Sequence, residues 1–232
     1  MTLADEELSR LSQLAPRLVE EKDVDALLDS AREVLKGEGD ADVLSRAVGF
    51  TLDADSAPLE LSFVSLYTAL ESALTFFRRQ YEYKILPPDD FARFERDLKG
   101  WLKQHPLLKD ENAKRALIYE KLRELNRFPF SHVFKIFCER LALDLSDLWP
   151  LTGNADDWPL MEIRHRLVHG DPFRRRPASA VVCARAHLRW TVERMILSVV
   201  GWNIERSRVS PAALSNAGEN YTDWRDERAK FA

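Results

Sequence analysis

Residues 59–83 decide the fold of this chain and read LELSFVSLYTALESALTFFRRQYEY. Large apolar and aromatic side chains recur along this stretch at alternating spacings of four and three residues. They are Phe63, Tyr67, Leu70, Leu74, Phe77 and Tyr81. Side chains with this spacing lie on one face of an α-helix, so the stretch predicts a long helix that packs against a core.

The rest of the chain shows the same helical period, and no segment alternates apolar and polar residues as a half-buried strand would. Shorter amphipathic helices are predicted over residues 3–20 and 23–36, and a long one over residues 178–206. The stripe predicted for that long helix comprises Val181, Ala184, Leu188, Thr191, Met195, Val199 and Trp202. The sequence therefore predicts an all-α helical bundle.

The predicted helices fall into three regions. Residues 1–55 form an N-terminal helical extension, which ends in the loop-like sequence DADSAP at residues 53–58. Residues 56–206 form the main helical domain. Residues 207–232 are predicted to be a polar, tail-like C-terminal segment.

Composition and charge exclude several classes of protein. Of the 232 residues, 45% are hydrophobic and 31% are charged, a balance typical of a globular rather than a disordered chain. A net charge of −4 argues against a protein that coats nucleic acid by bulk attraction. The two cysteines are too few for a disulfide scaffold, and no apolar run approaches the ~20 residues of a membrane helix. Since the acidic N-terminus also lacks the apolar core of a signal peptide, the sequence predicts a cytoplasmic protein with no membrane contact.

The strongest functional pattern is the segment EIRHRLVHGD at residues 162–171, which brings Arg164, His165 and His169 to one helix. Asp157 is predicted to cap the start of this helix and Gly170 to end it. On an ideal helix, Arg164 and His169 point about 140° apart, but a long arginine and a histidine at a fraying helix end can still converge on one ligand. Histidine exchanges protons near neutral pH and arginine offers a planar fork to phosphate oxygens, so the pair suits cleavage of a phosphodiester. The alternative is that Arg164 pairs with an acidic residue and His169 only caps the helix C-terminus.

The sequence RHRLVH at residues 164–169 resembles the signature of HEPN-domain proteins, in which arginine, a polar residue, three further residues and histidine succeed one another. The triplet at 168–170 resembles the helix end of the ApeA-like branch of that family. The sequence FVSLYTALESAL at 63–74 resembles the glutamate-bearing first helix of the same branch. The resemblance covers roughly residues 59–205, and His165 stands at the polar position where asparagine is more frequent.

This resemblance implies a HEPN-like helical bundle that forms a homodimer, with two copies of the motif facing each other. Many HEPN proteins are metal-independent endoribonucleases of toxin–antitoxin, antiviral-defence or RNA-processing systems. Carried over by position, Arg164 and His169 are catalytic and His165 supports them, with no cofactor. The implied partners are RNA and an antitoxin or regulatory protein. Because some members keep the fold without activity, the alternative function is a non-catalytic module that binds RNA or protein and dimerises.

Other polar residues are candidates for supporting roles. Glu71, on the first helix of the resemblance, is placed to hold Arg164, with an ordinary surface glutamate as the alternative. The candidates for binding RNA phosphates are Arg78, Arg174, Arg175 and Arg176, with solvated surface positions as the alternative. A further basic pair, Arg185 and Arg189, is less suited to RNA because Glu193 lies four residues after Arg189 and can form an ion pair with it on a helix.

A metal site is a further alternative. His165 and His169 share a helix face, as do Cys183 and His187 on the next helix, so the four side chains would form a zinc-like set if the two faces met. Neither pair has the glutamate that comes after the first histidine in metalloprotease motifs, and Cys183 lies close to the predicted apolar stripe. The sequence therefore predicts no metal site.

Overall fold

The chain folds into α-helices, as the sequence predicted. The computed structural model describes residues 3–35, 41–80, 84–170, 178–216, 221 and 224–231, and within these ranges the only extended pairing is one isolated bridge between Lys84 and Arg127. The eleven helices of the described residues are α1 (Leu3–Leu18), α2 (Val24–Leu35), α3 (Ala41–Asp53), α4 (Leu59–Gln80), α5 (Pro88–Gln104), α6 (Asn112–Leu122), α7 (Phe130–Arg140), α8 (Leu160–His169), α9 (Ala178–Val199), α10 (Pro211–Ser215) and α11 (Trp224–Ala229). None of these helices has the length and apolar character that crossing a membrane requires.

The helices belong to two compact units, which divide within α7. The first comprises residues 1–80 and 137–232, and the second comprises residues 81–136. In the first unit, α1 packs on α2 and α3, and α3 packs on both α4 and α9. The predicted region boundaries at residues 55/56 and 206/207 stay a prediction. In space, the N-terminal helices share a compact unit with α4 and α9.

Helix α4 confirms the stripe from which its position was predicted. Of the predicted residues, Phe63, Tyr67, Leu70, Leu74 and Phe77 are buried, and Tyr81 lies outside the described residues. Burial extends beyond this stripe to Leu66, Ala69, Ala73 and Phe76. The wider burial arises because α3, α8 and α9 all pack on α4, so more than one face of the helix is covered.

Helix α9 is the most buried helix of the first unit and ends earlier than predicted. Its predicted stripe is buried apart from Val199, which is half-buried. The helix ends at Val199 rather than at residue 206 because Gly201 adopts a left-handed conformation, with a φ of 72°. The N–H of Gly201 donates to Ser198 O at 3.1 Å and that of Trp202 to Leu197 O at 2.9 Å, the pair of bonds that closes a helix C-terminus around glycine.

Polar residues of α9 are buried together with their partners. The fully buried Arg194 donates from Nη1 and Nη2 to the two carboxylate oxygens of Asp147 at 2.6 and 2.7 Å. Its Nε donates to Val209 O at 2.6 Å, and the hydroxyl of Tyr221 donates to Asp147 at 2.9 Å. Burial raises the pKa of Asp147, but the hydrogen bonds and charge of Arg194 outweigh it and hold that pKa below its usual value.

The described residues of the C-terminal segment are not tail-like, which corrects the sequence interpretation of residues 207–232. Helix α11 packs on α9, and Trp224 and Phe231 are buried. The ring of Trp224 stacks on Trp149 at 6.0 Å between centroids, and that of Phe231 stacks on Trp158 at 5.0 Å. The sequence interpretation missed these aromatic contacts because the segment is mostly polar and the partners of Trp224 and Phe231 are far away in the sequence.

The second unit contains α5, α6 and the first part of α7. Its described core is small: Leu102 on α5, Leu122 on α6 and Val133 on α7 are buried, whereas Trp101 is 58% exposed. The side chain of Asn126 pairs with the backbone before α5, since it accepts from Leu86 N at 2.7 Å and donates to Leu86 O at 3.1 Å. This pair of hydrogen bonds joins the segment before α5 to the turn after α6.

Candidate functional site

The motif lies on α8, whose start is determined by backbone contacts rather than by a side-chain cap. The N–H groups of Leu160 and Met161 donate to Pro150 O at 3.0 Å and to Leu151 O at 3.1 Å, which satisfies donors that a helix N-terminus otherwise leaves unpaired. Asp157, predicted as the N-cap, instead ends a short 3₁₀ turn, and Pro159 precedes the helix. The prediction was wrong because Trp158, between Asp157 and the helix, adopts a left-handed conformation with a φ of 50°.

The end of α8 agrees with the prediction. Gly170 adopts a left-handed conformation, with φ 67° and ψ 21°, and its N–H donates to Arg166 O. A residue with a Cβ is strained in this conformation, which explains why glycine ends the helix here. His169 is thereby left as the exposed last residue of α8.

Arg164 packs against α4 and has an unusual environment. Its guanidinium carbon lies 5.3 Å from the ring centroid of Tyr67, and the arginine side chain is half-buried. Its Nε is buried without a hydrogen-bond acceptor, and within the described part of the chain no ion pair reaches this guanidinium. The alternative in which Arg164 pairs with an acidic residue therefore has no counterpart among the described residues.

The two histidines of the motif lie together on another side of α8. The rings of His165 and His169 are 4.4 Å apart between centroids, with an angle of 50° between their planes, and both residues are exposed. This contact confirms that they share a helix face. Arg164 faces Tyr67 instead, and among the described contacts none joins Arg164 to His169. A single chain thus presents the proton-exchanging residues and the arginine on different sides of α8.

Glu71 and Arg78 are exposed on α4. Burial raises the pKa of Tyr67, the charge of Glu71 raises it further, and the charge of Arg164 opposes both. Glu71 and Arg164 thus both act on the same phenol, but no ion pair joins them in the described part of the chain, so the supporting role of Glu71 stays a prediction. Arg78 lies seven residues after Glu71, about 20° away around the helix and about 10 Å along it, so it extends the same face.

The remaining arginines considered for binding RNA fall into two groups. Arg174, Arg175 and Arg176 lie outside the described residues. On α9, Arg189 forms the expected ion pair with Glu193 at 2.7 Å, and Arg185 donates from Nε to Ser62 Oγ at 2.5 Å. Arg185 and Arg189 therefore stabilise the fold of the first unit.

The four side chains of the zinc-like set do not come together in the structure. Cys183 and His187 are buried, and His187 Nδ1 accepts from Trp149 N at 3.2 Å, whereas His165 and His169 are exposed. No group of three or more histidine, cysteine, aspartate or glutamate side chains that could hold a metal ion occurs in the described ranges.

Two features of the site were not recognised in the sequence. Tyr67 was assigned only to the apolar stripe of α4, and its contact with Arg164 depends on packing between distant segments. Arg166, two residues after Arg164, forms an ion pair with Glu162 at 2.8 Å and lies 4.4 Å above the ring of Trp158. The spacing of four between Glu162 and Arg166 was a signal for the ion pair, but nothing in the sequence indicated the Trp158 contact.

No protein-family model matches the chain, and no curated protein or solved structure matches it either. The expectation of a HEPN domain consequently depends on the sequence motifs at 164–169 and 63–74 alone.

Proposed function

We propose that this protein is a metal-independent endoribonuclease of the HEPN type. The observation that carries the proposal is the state of Arg164, whose guanidinium lies against an aromatic ring and has no protein acceptor among the described residues. A buried arginine N–H without an acceptor is uncommon, because a donor that has lost its water without gaining an acceptor has a free-energy cost, and a bound ligand is one way to meet that cost. A phosphate of RNA suits the planar donors of this group.

In the proposed reaction, His169 takes the proton of a ribose 2′-hydroxyl, and that oxygen attacks the adjacent phosphorus. The bond from phosphorus to the 5′-oxygen breaks, and a second histidine gives a proton to the leaving oxygen. The products are a 2′,3′-cyclic phosphate and a 5′-hydroxyl. Arg164 stabilises the negative charge that develops on the phosphorane oxygens, and His165 orients or assists His169 from the adjacent position on its face.

A homodimer is part of the proposal, because Arg164 and His169 of one chain lie on different sides of α8. A second copy that presents its own α8 across an interface would supply the complementary proton-transfer group. The exposure of His165, His169 and Val168 leaves this end of α8 open to such a copy. Toxin or antiviral-defence activity, restrained by an antitoxin or regulatory protein, would be expected of an enzyme of this kind.

The first experiment is cleavage of a mixed pool of labelled RNAs by the purified protein in excess EDTA. Arg164→Ala and His169→Ala are compared with Arg46→Ala, which removes an exposed arginine from α3. We expect products with 2′,3′-cyclic phosphate ends from the wild type and from Arg46→Ala. Loss of a general acid–base or of charge stabilisation should reduce the rate by about 100-fold or more in the other two variants. A His169→Ala variant that cleaves at the wild-type rate would refute the assignment.

A second candidate function is a non-catalytic module that binds RNA or a protein partner and dimerises. The separation of Arg164 from the two histidines within one chain favours it, as does the net charge of −4. The two functions differ in the effect of overexpression on growth. Arrest that is relieved by His169→Ala supports the nuclease, whereas arrest that persists in His169→Ala supports the binding module.

A further inference from the structure

The environment of Arg164 differs from the usual one of an arginine near the protein interior. Such an arginine is ordinarily held by a carboxylate or by carbonyl oxygens. Here the guanidinium carbon lies 5.3 Å from the ring centroid of Tyr67, and Tyr67 itself is only 4% exposed. Because α4 packs on α8, the buried ring has a fixed position beside the arginine.

An aromatic ring and a carboxylate hold an arginine with different consequences. A carboxylate occupies the N–H donors of the guanidinium and neutralises its charge, which weakens its attraction for a phosphate. The face of a ring attracts the cation through its quadrupole but accepts none of the in-plane N–H donors. An arginine held by a ring is therefore oriented while its donors and its charge remain available to an anion.

We propose that Tyr67 is a positioning residue, whose ring orients Arg164 towards the phosphate that is cleaved. This inference rests on the proposed nuclease function and adds a role for a residue of α4. The phenol acts as a neutral ring rather than as a proton donor to the reaction, since burial and the charge of Glu71 raise the pKa of Tyr67 far above neutrality. Glu71, one turn further along α4, is exposed and leaves the guanidinium unpaired.

The kinetic test compares Tyr67→Phe, Tyr67→Leu and Phe63→Leu. Tyr67→Phe keeps the ring, Tyr67→Leu removes it, and Phe63→Leu is the matched control, because Phe63 is a buried ring one turn earlier on the same stripe. We expect Tyr67→Leu to lower kcat by about 10-fold, the rate equivalent of a partly desolvated cation–π contact, with a smaller change in KM. Tyr67→Phe should restore kcat to within about threefold of the wild type. Equal losses of kcat in Tyr67→Leu and Phe63→Leu at a temperature where both are folded would overturn the proposal.

An NMR measurement tests the contact without relying on cleavage. The Nε–Hε resonance of Arg164, assigned by its loss in Arg164→Lys, should be shifted upfield by the ring current of Tyr67 and protected from solvent exchange, since Nε is buried. The shift should persist in Tyr67→Phe and Phe63→Leu and disappear in Tyr67→Leu. A resonance that does not respond to Tyr67→Leu would overturn the positioning role, whatever the activity.

The two measurements separate failure of this inference from failure of the proposed function. If the wild type cleaves RNA and Tyr67→Leu cleaves it equally well, Tyr67 has no positioning role although the nuclease stands. If the wild type cleaves no RNA, the nuclease proposal fails. In that case a titration with uncleaved RNA, monitored by NMR, tests whether Tyr67 orients Arg164 for the phosphate of a bound RNA. The RNA should move the Nε–Hε resonance in the wild type and not in Tyr67→Leu.

Discussion

Two arginines of this protein lie in different surroundings: one is paired with a carboxylate, and the other packs on an aromatic ring. Around α9, the fully buried Arg194 is held by both carboxylate oxygens of Asp147 and by the carbonyl of Val209. Between α4 and α8, Arg164 is half-buried against the ring of Tyr67, and its Nε has no acceptor among the described residues.

The difference separates a charge that serves the fold from one that the fold does not explain. A buried charge is tolerated when hydrogen bonds replace the water it has lost, and the environment of Arg194 meets this condition. The buried Nε of Arg164 does not meet it within the described residues. The comparison therefore supports a structural role for Arg194 and a ligand-binding role for Arg164, and substitutions should affect the two regions in different ways.

The largest effect on stability is expected for Arg194→Met. Removing the guanidinium leaves the carboxylate of Asp147 without its cationic partner, which should lower the free energy of unfolding by about 3 kcal/mol or more. Urea unfolding, monitored by far-UV circular dichroism, measures this change. The control is Arg46→Met, which breaks an exposed ion pair with Asp42 and should cost less than about 0.5 kcal/mol. A loss below about 1 kcal/mol for Arg194→Met would contradict the structural role.

A smaller effect on the same region is expected at acidic pH. The folded pKa of Asp147 lies below its unfolded value, so the unfolded state binds more protons at pH values between the two. The contribution of Asp147 to stability is thus complete above the unfolded pKa, near 4, and is lost as the pH falls through the folded pKa. Unfolding midpoints in urea from about pH 6 to about pH 2.5 should fall less steeply in Asp147→Asn than in the wild type. Equal slopes would show that Asp147 carries no such contribution.

The smallest effect on stability is expected at Arg164, which is compared with Arg166 on the same helix. Arg166→Met removes an ion pair with Glu162 and a contact with Trp158, and should cost about 1 kcal/mol. Arg164→Met should change the free energy of unfolding by less than about 0.5 kcal/mol, because the lost ring contact is offset by removal of a buried Nε without an acceptor. Urea unfolding of the two variants side by side measures the difference. A cost for Arg164→Met that equals or exceeds that for Arg166→Met would assign Arg164 to the fold and remove the basis of the comparison.

Much of the fold was predictable from local pattern, and the errors have definite causes. The stripe of α4 and the end of α8 at Gly170 were predicted from residue spacing and from the conformational freedom of glycine. The end of α9 was misplaced although Gly201 was visible, because Trp202 continued the apolar period beyond the glycine. The C-terminal segment was interpreted as a tail because its polar residues outnumber the buried Trp224 and Phe231.

The sequence by itself determined that the chain is helical, where α4 lies, and that Arg164, His165 and His169 share α8. These properties depend on neighbours within a few residues, which periodicity and helix-ending residues report directly. Only the tertiary structure decided that Arg164 meets Tyr67 while Arg194 meets Asp147. Two arginines look alike in a sequence, and the packing of distant helices determines which of them receives a carboxylate and which packs on an aromatic ring.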